Sequence, residues 1–322
     1  MGRLVNGQWH DEWYDTEKHG GRFVREDAGF RDWIRADGST RFVPEPGRYH
    51  LYVSLACPWA HRTLIVRKLK RLEDVIDVSV VHWYMREDGW TFRKEDGATG
   101  DHLHDKDFLH EIYTLAKPDY TGRVTVPVLW DRREQIIVSN ESAEIIRMLN
   151  SEFDALDARQ GSANIDLYPH DLREDIDAIN AFVYDRINNG VYKTGFATSQ
   201  AAYEEAFDRL FAGLDELERR LEGRRFLVGE QLTEADVRLF TTLLRFDPVY
   251  VTHFKCNLRR VADYPNLAAF VKRLLDIPGV RDTVDLHHIK HHYYVSHKQL
   301  NPSGIVPKGP ELFFEPARED DA

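Results

Sequence analysis

The 322 residues are 42% hydrophobic and 30% charged, with a net charge of −11, the profile of a globular chain long enough for two ordinary domains. An acidic balance of that size argues against a nucleic-acid-binding face, which needs basic residues, and against an anionic membrane surface. Two cysteines cannot form a disulfide framework and suit a reducing compartment; "MGRLVNGQWHDEW" has no apolar signal region and no run reaches the ~18 apolar residues of a membrane helix, so the expected location is the cytoplasm.

Residues 1–45 are polar with little periodicity, yet carry Trp9, Trp13, Phe23, Phe30 and Trp33. Disordered tails are poor in aromatics, so this segment reads as an extension that wraps a neighbouring domain. "FVPEPGRYH" marks the boundary. "YHLYVSL" then alternates as a strand, Pro58 stands at a first helical position, and "WAHRTLIVRKLKRL" has helical spacing. "VIDVSVV" is the next strand, which makes a βαβ unit with a parallel pair. An irregular insert is expected from Trp83 to about Thr121. "VTVPVLWD" and "QIIVSN" read as strands joined by the turn "DRRE", and "ESAEIIRMLN" as a short helix. The order β-α-β, insert, β-β-α over residues 46–152 is that of a thioredoxin-like domain.

"SEFDALDARQGSANIDLYPHD" is linker-like, and residues 165–322 read as an all-helical domain with an irregular tail from Asn301. Leu172, Ile176, Ile179, Val183 and Ile187 define one helix, expected to stop at "NNG". Tyr203, Phe207, Leu210, Leu214, Leu217 and Leu221 define another. Thr233 caps a third with Asp236 three residues on, and "NLAAFVKRLLDIPG" is a fourth.

A strand running into Cys57 and a helix starting at Pro58 put a sulfur at a helix N-terminus, where backbone N–H groups stabilise negative charge. An ordinary thiol with a pKa of about 8.5 is only ~3% thiolate at pH 7; a drop of about two units, from the helix and Arg62, would make the thiolate the majority form. "CPWA" has Ala60 where a C-x-x-C motif has its second cysteine, and Cys256 lies in the helical half with the reading of a buried structural thiol. A mixed disulfide at Cys57 therefore needs an outside thiol to resolve it, and the abundant cytosolic choice is glutathione. The second half of the chain's chemistry would bind that thiol. Pro127 after Val126 suggests a cis bond that frees the Val126 N–H and C=O for a peptide-like ligand. "SNESAE" starts a helix whose N–H groups, with Ser142, suit a carboxylate, and Glu141 could accept an ammonium; capping by Ser139 or Asn140 is the ordinary alternative.

These residues, with "LTEADVRLF", resemble a cytosolic glutathione transferase. "SLACPWAHR", "GWTF", "NNGVYKTGFA" and "HHIKHHYYVSHKQLNPSGIVP" resemble more narrowly the glutathionyl-hydroquinone reductases, the Xi class of that family. The resemblance implies a thioredoxin-like domain followed by a helical domain, a homodimer, glutathione as co-substrate and no tightly bound cofactor. It implies Cys57 as the nucleophile and Trp90, Arg123, Val126, Glu141 and Ser142 as glutathione contacts. Tyr192 and Tyr293 would bond the hydroquinone oxygen, with Tyr294 as the alternative to Tyr293.

Other readings compete. "HHIKHH" offers i, i+4 histidine pairs, but lacks an H-E-x-x-H pattern or nearby cysteine, so no metal is expected. His61 beside the thiol could move a proton, although packing is the plainer role. The same fold could instead reduce dehydroascorbate or mixed disulfides, or serve as a non-catalytic scaffold.

Overall fold

The computed structural model describes residues 2–156 and 165–315. Residues 157–164 of the linker-like stretch and 316–322 of the tail lie outside the described residues. The extension begins with β1 (Arg3–Val5) and β2 (Gln8–His10), reversed through Asn6 and Gly7, whose φ values of 47° and 76° are left-handed. β1 pairs antiparallel with β2 and, on its other side, with Gly122–Arg123. Further along, Asp32 N–H donates to Val138 O (2.9 Å) and Asn140 N–H to Phe30 O (3.1 Å). The extension so runs along a strand edge that would otherwise expose unpaired backbone.

That edge belongs to a four-stranded sheet of β3 (Tyr49–Val53), β4 (Asp77–Val80), β6 (Val128–Asp131) and β7 (Ile136–Ser139), with Gly122–Arg123 as β5 of the smaller sheet. The order is β4-β3-β6-β7; β3 and β4 are parallel, the other pairs antiparallel. Every residue of β3 is buried, as a central strand covered on both faces demands. α1 (Pro58–Leu69) crosses from β3 to β4, and α3 (Ser142–Ser151) packs on α1. The "DRRE" turn is held by Asp131, whose Oδ1 accepts from Arg133 N (2.7 Å) and Glu134 N (3.2 Å).

The insert is not wholly irregular: α2 (Leu109–Ala116) falls inside it, burying Leu109, Ile112 and Tyr113. A single short apolar stripe, capped by Glu111 accepting from Phe108 N (2.9 Å), is too brief to stand out as a period.

α4 (Arg173–Val183) does not end at "NNG". It passes through a π-helical turn, Tyr184–Asn188, directly into α5 (Gly190–Gly195). Gly190 serves close packing rather than termination: a Cβ there would stand 3.3 Å from Leu210 on α6 (Gln200–Arg220). α7 (Glu234–Arg245) is buried on every side. Asp236 holds its start, accepting from Thr233 N and Leu227 N, each at 2.8 Å. A second π-helical turn, Phe246–Tyr250, leads to α8 (Val251–His253), followed by α9 (Pro265–Leu275) and α10 (Leu286–Ser296). Among the described residues no helix is long and apolar enough to cross a membrane.

Candidate active site

Cys57 is the N-cap of α1, extended at φ −76° and ψ 123°, with Pro58 as the first helical residue. It is partly exposed, and its thiol donates to Val126 O at 3.5 Å. The Val126–Pro127 peptide is cis. The Val126 carbonyl is thus not left free for a ligand; it faces the sulfur.

The electrostatics overturn one expectation. Burial pushes the Cys57 thiol up, and the N–H groups of Ala60 and Trp59 with the charges of Arg245 and Arg25 pull it down without reversing the shift. Arg62 is not the cation in question. Its fully buried guanidinium turns to Ser142 Oγ (3.4 Å) and Asn188 Oδ1 (2.7 Å). Desolvation outweighs the helix start because this helix start lies in an apolar wall rather than in water.

A cavity of about 600 Å³ opens on the thiol. Tyr192 from α5 and Tyr293 from α10 reach it, their hydroxyls 2.6 Å apart, and Tyr250 stands 3.1 Å behind Tyr293. Burial raises all three phenols, well above the usual range for Tyr250 and Tyr293, so each stays a proton donor at neutral pH. Trp90 lines the same cavity and stacks on His292, ring centroids 4.7 Å apart. Tyr294 does not line it. Its hydroxyl donates instead to Pro248 O at 3.2 Å, so of the two adjacent tyrosines it is Tyr293 that meets the cavity.

A second cavity, about 560 Å³ and more polar, holds Arg123, Val126, Glu141 and Ser142. Glu141, not Ser139 or Asn140, is the N-cap of α3: its carboxylate accepts from Ala143 N at 3.0 Å, and Ser142 is the first helical residue. Arg123 donates to Trp13 O (3.1 Å), to Glu12 O and to Glu26 (3.2 Å), and lies 4.1 Å over the Tyr14 ring. It therefore ties down the extension as well as facing the cavity.

The two cavities meet at Tyr14, Arg25, Trp59, Thr125 and Val126. Two walls were missed from sequence. Trp13, Phe23 and Arg25 come from the extension, and His292 and His297 from the α10 end. The aromatic density of the extension was the available signal for the first; nothing local singled out Arg25, whose guanidinium lies 4.9 Å over Trp59 and 5.0 Å over Tyr192.

Two of the "HHIKHH" histidines, His288 and His292, anchor the insert to α10. His288 meets Asp96 O, His292 Nδ1 donates to Trp83 O (2.8 Å), and His291 Nδ1 meets His287 O (2.8 Å). His61 is buried between Thr283 Oγ1 (2.8 Å) and Arg245 (3.0 Å), and burial holds its imidazole neutral. Cys256 is fully buried, its sulfur near Phe254 O (3.8 Å).

Comparison with known proteins places this geometry. The glutathione S-transferase N-terminal domain model matches residues 56–152 and the C-terminal domain model residues 200–273. The chain is 56% identical to "Glutathionyl-hydroquinone reductase YqjG" of Escherichia coli over 96% of this chain and 95% of that one. It is equally identical, at 56%, to "Glutathionyl-hydroquinone reductase PcpF" of Sphingobium chlorophenolicum over 96% of each. The glutathione-bound structure of YqjG aligns with a TM-score of 0.88 at 52% identity over 99% of both chains. A Xi-class transferase from Natrialba magadii aligns at 0.90 and 48% identity, covering 100% of this chain and 97% of its own. This chain belongs to the glutathione S-transferase family, within its Xi class of glutathionyl-hydroquinone reductases.

Proposed function

We propose that the protein removes glutathione from glutathionyl-hydroquinones through a mixed disulfide at Cys57. The Cys57 thiolate attacks the glutathione sulfur, the sulfur–aryl bond breaks, and the ring carbon takes a proton as the hydroquinone leaves. The disulfide between Cys57 and glutathione holds the two electrons' worth of oxidation. A second glutathione thiolate attacks that disulfide, releasing oxidised glutathione and the Cys57 thiolate. Tyr192 and Tyr293 hold the ring oxygen and offer the proton, as hydroxyls kept protonated by burial are fitted to do. Trp90 packs on glutathione, Arg123 and Val126 hold its backbone, and Glu141 and Ser142 take its γ-glutamyl end. The reading extends to a cytoplasmic homodimer, which light scattering tests by a particle of twice the chain mass.

One observation carries the reading: an apolar cavity joining the Cys57 thiol to a pair of hydrogen-bonded phenols, continuous at Val126 with a polar cavity that ends at a helix N-terminus. The aromatic walls favour a hydroquinone over dehydroascorbate. Turnover of a synthetic glutathionyl-hydroquinone, followed by chromatography against dehydroascorbate as competitor, is expected to run at least about tenfold faster in kcat/KM; a preference for dehydroascorbate would reassign the substrate. Cys57→Ser is expected to lose turnover by about a thousandfold or more with an unchanged circular dichroism spectrum, and wild-type protein incubated with oxidised glutathione is expected to gain one glutathione at Cys57 by mass spectrometry. Retained turnover in the Ser variant would end the covalent reading.

A further inference from the structure

The last residue of α7, Arg245, is fully buried, and its guanidinium crosses from the helical domain to the backbone that leads into Cys57. Nε donates to Ala56 O (2.8 Å) and Nη2 to Leu55 O (3.1 Å). Nη1 donates to Thr241 O (2.8 Å) and meets His61 Nδ1 (3.0 Å). Leu55 and Ala56 lie in the Ser54–Cys57 turn, closed by Cys57 N donating to Ser54 O at 3.2 Å. Every one of these acceptors is neutral. His61 cannot supply the missing charge. Thr283 gives its own proton to Val280 O (2.6 Å), so it must accept from His61 Nε2. That leaves Nδ1 bare to receive Arg245 and fixes a neutral ring.

A buried guanidinium is costly without a counter-ion, and a fold that merely needed to satisfy two carbonyls could use an amide. We propose that Arg245 is a positioning residue for the nucleophile: it fixes the turn from which the sulfur projects and holds an uncompensated positive charge behind it. Its field reaches Cys57 and, across the cavity, Tyr250, Tyr293 and His292. The groups facing Cys57 are the N–H groups of Trp59 and Ala60 on α1, the Val126 carbonyl, Arg245 on α7, Arg25 of the extension and Tyr192 on α5. Arg25 lines the open cavity, where a ligand or solvent can screen it; Arg245 is fully buried behind the turn, away from the cavity lining.

This inference rests on Cys57 as the nucleophile, and its test is independent of turnover: the rate of Cys57 alkylation by iodoacetamide at pH 7.5, read by mass spectrometry on the full chain. Below the thiol's midpoint that rate follows the thiolate fraction. Arg245→Gln keeps an amide donor for the turn and removes the charge; alkylation is expected to slow about tenfold, equivalent to one unit in the thiol's midpoint. Arg245→Lys returns the charge, and alkylation is expected to recover to within about twofold while kcat stays low, since an ammonium cannot span four acceptors in a plane. His61→Glu leaves Arg245 in place and neutralises it, and is expected to slow alkylation like Arg245→Gln, with His61→Gln as the unchanged control. Folded Arg245→Gln or His61→Glu protein that alkylates at the wild-type rate would overturn the proposal, and either variant alone suffices if the other does not fold. Loss of the Cys57 mechanism itself would show separately, as turnover retained by Cys57→Ser.

Discussion

At the scale of single residues, the roles proposed for the thiol and the phenols divide by protonation. Burial favours the neutral sulfur, so the thiolate is a minority species at neutral pH and grows as pH rises. Alkylation of Cys57 is therefore expected to climb by about tenfold per pH unit through pH 7–8 and to be climbing still beyond the ordinary cysteine midpoint of about 8.5; a plateau below pH 7 would contradict it. The phenols run the other way. Because burial raises Tyr192, it remains a donor across that whole range, and Tyr192→Phe is expected to cut kcat about tenfold or more while changing the glutathione dissociation constant by less than about twofold. Tyr294→Phe, whose lost hydroxyl bonded Pro248 O and does not line the cavity, is expected to change kcat by less than about twofold. Equal effects of the two variants would refute the assignment.

At the scale of elements, the extension matters as much as any helix of the domain it covers. Arg123 fastens it through Glu12, Trp13 and Glu26. Arg123→Ala is expected to speed proteolysis within residues 1–45 and to raise KM for both substrates several-fold, since Trp13, Phe23 and Arg25 wall the cavity; a variant with unchanged proteolysis would separate the two roles. Much of this was legible in the sequence. The strand at "YHLYVSL", Pro58 after Cys57 and the Thr233–Asp236 cap each follow a local rule that the fold obeys, although the strand is buried on both faces rather than on alternate residues. Where local rules failed, tertiary packing had taken over. Gly190 looks like a stop but is a contact with α6. Arg62 is five residues from Cys57 in sequence and turns away to Ser142, whereas Arg245, far along the chain, supplies the charge. Side-chain direction decides such cases, and a one-dimensional pattern does not carry it. Neighbouring tyrosines 293 and 294 differ for the same reason: successive helical residues point about 100° apart.

At the scale of the molecule, the two domains are joined by buried polar groups, which makes their relative placement specific. Arg147 on α3 donates through Nε to both carboxylate oxygens of Glu234 at the start of α7 (3.2 and 3.0 Å), through Nη2 to Oε1 (2.9 Å), and also to Asp177 on α4. Glu234 is only 2% exposed. Arg147→Ala would strand that carboxylate with Asn180 (2.8 Å) and the more distant Arg238 (3.5 Å), and is expected to cost about 3 kcal/mol of stability in denaturant titration; a loss below about 1 kcal/mol would mean that the pair is replaceable by packing. The site lies along this seam: the sulfur comes from the first domain and both phenols from the second.

The extension is laid down before the sheet edge that receives it exists, and it ends up as one bank of the channel that opens on the Cys57 thiol. Part of the wall that would meet a ligand is thereby supplied from outside the two domains. Replacing that segment would re-line one bank and leave the thiol and both phenols where they stand.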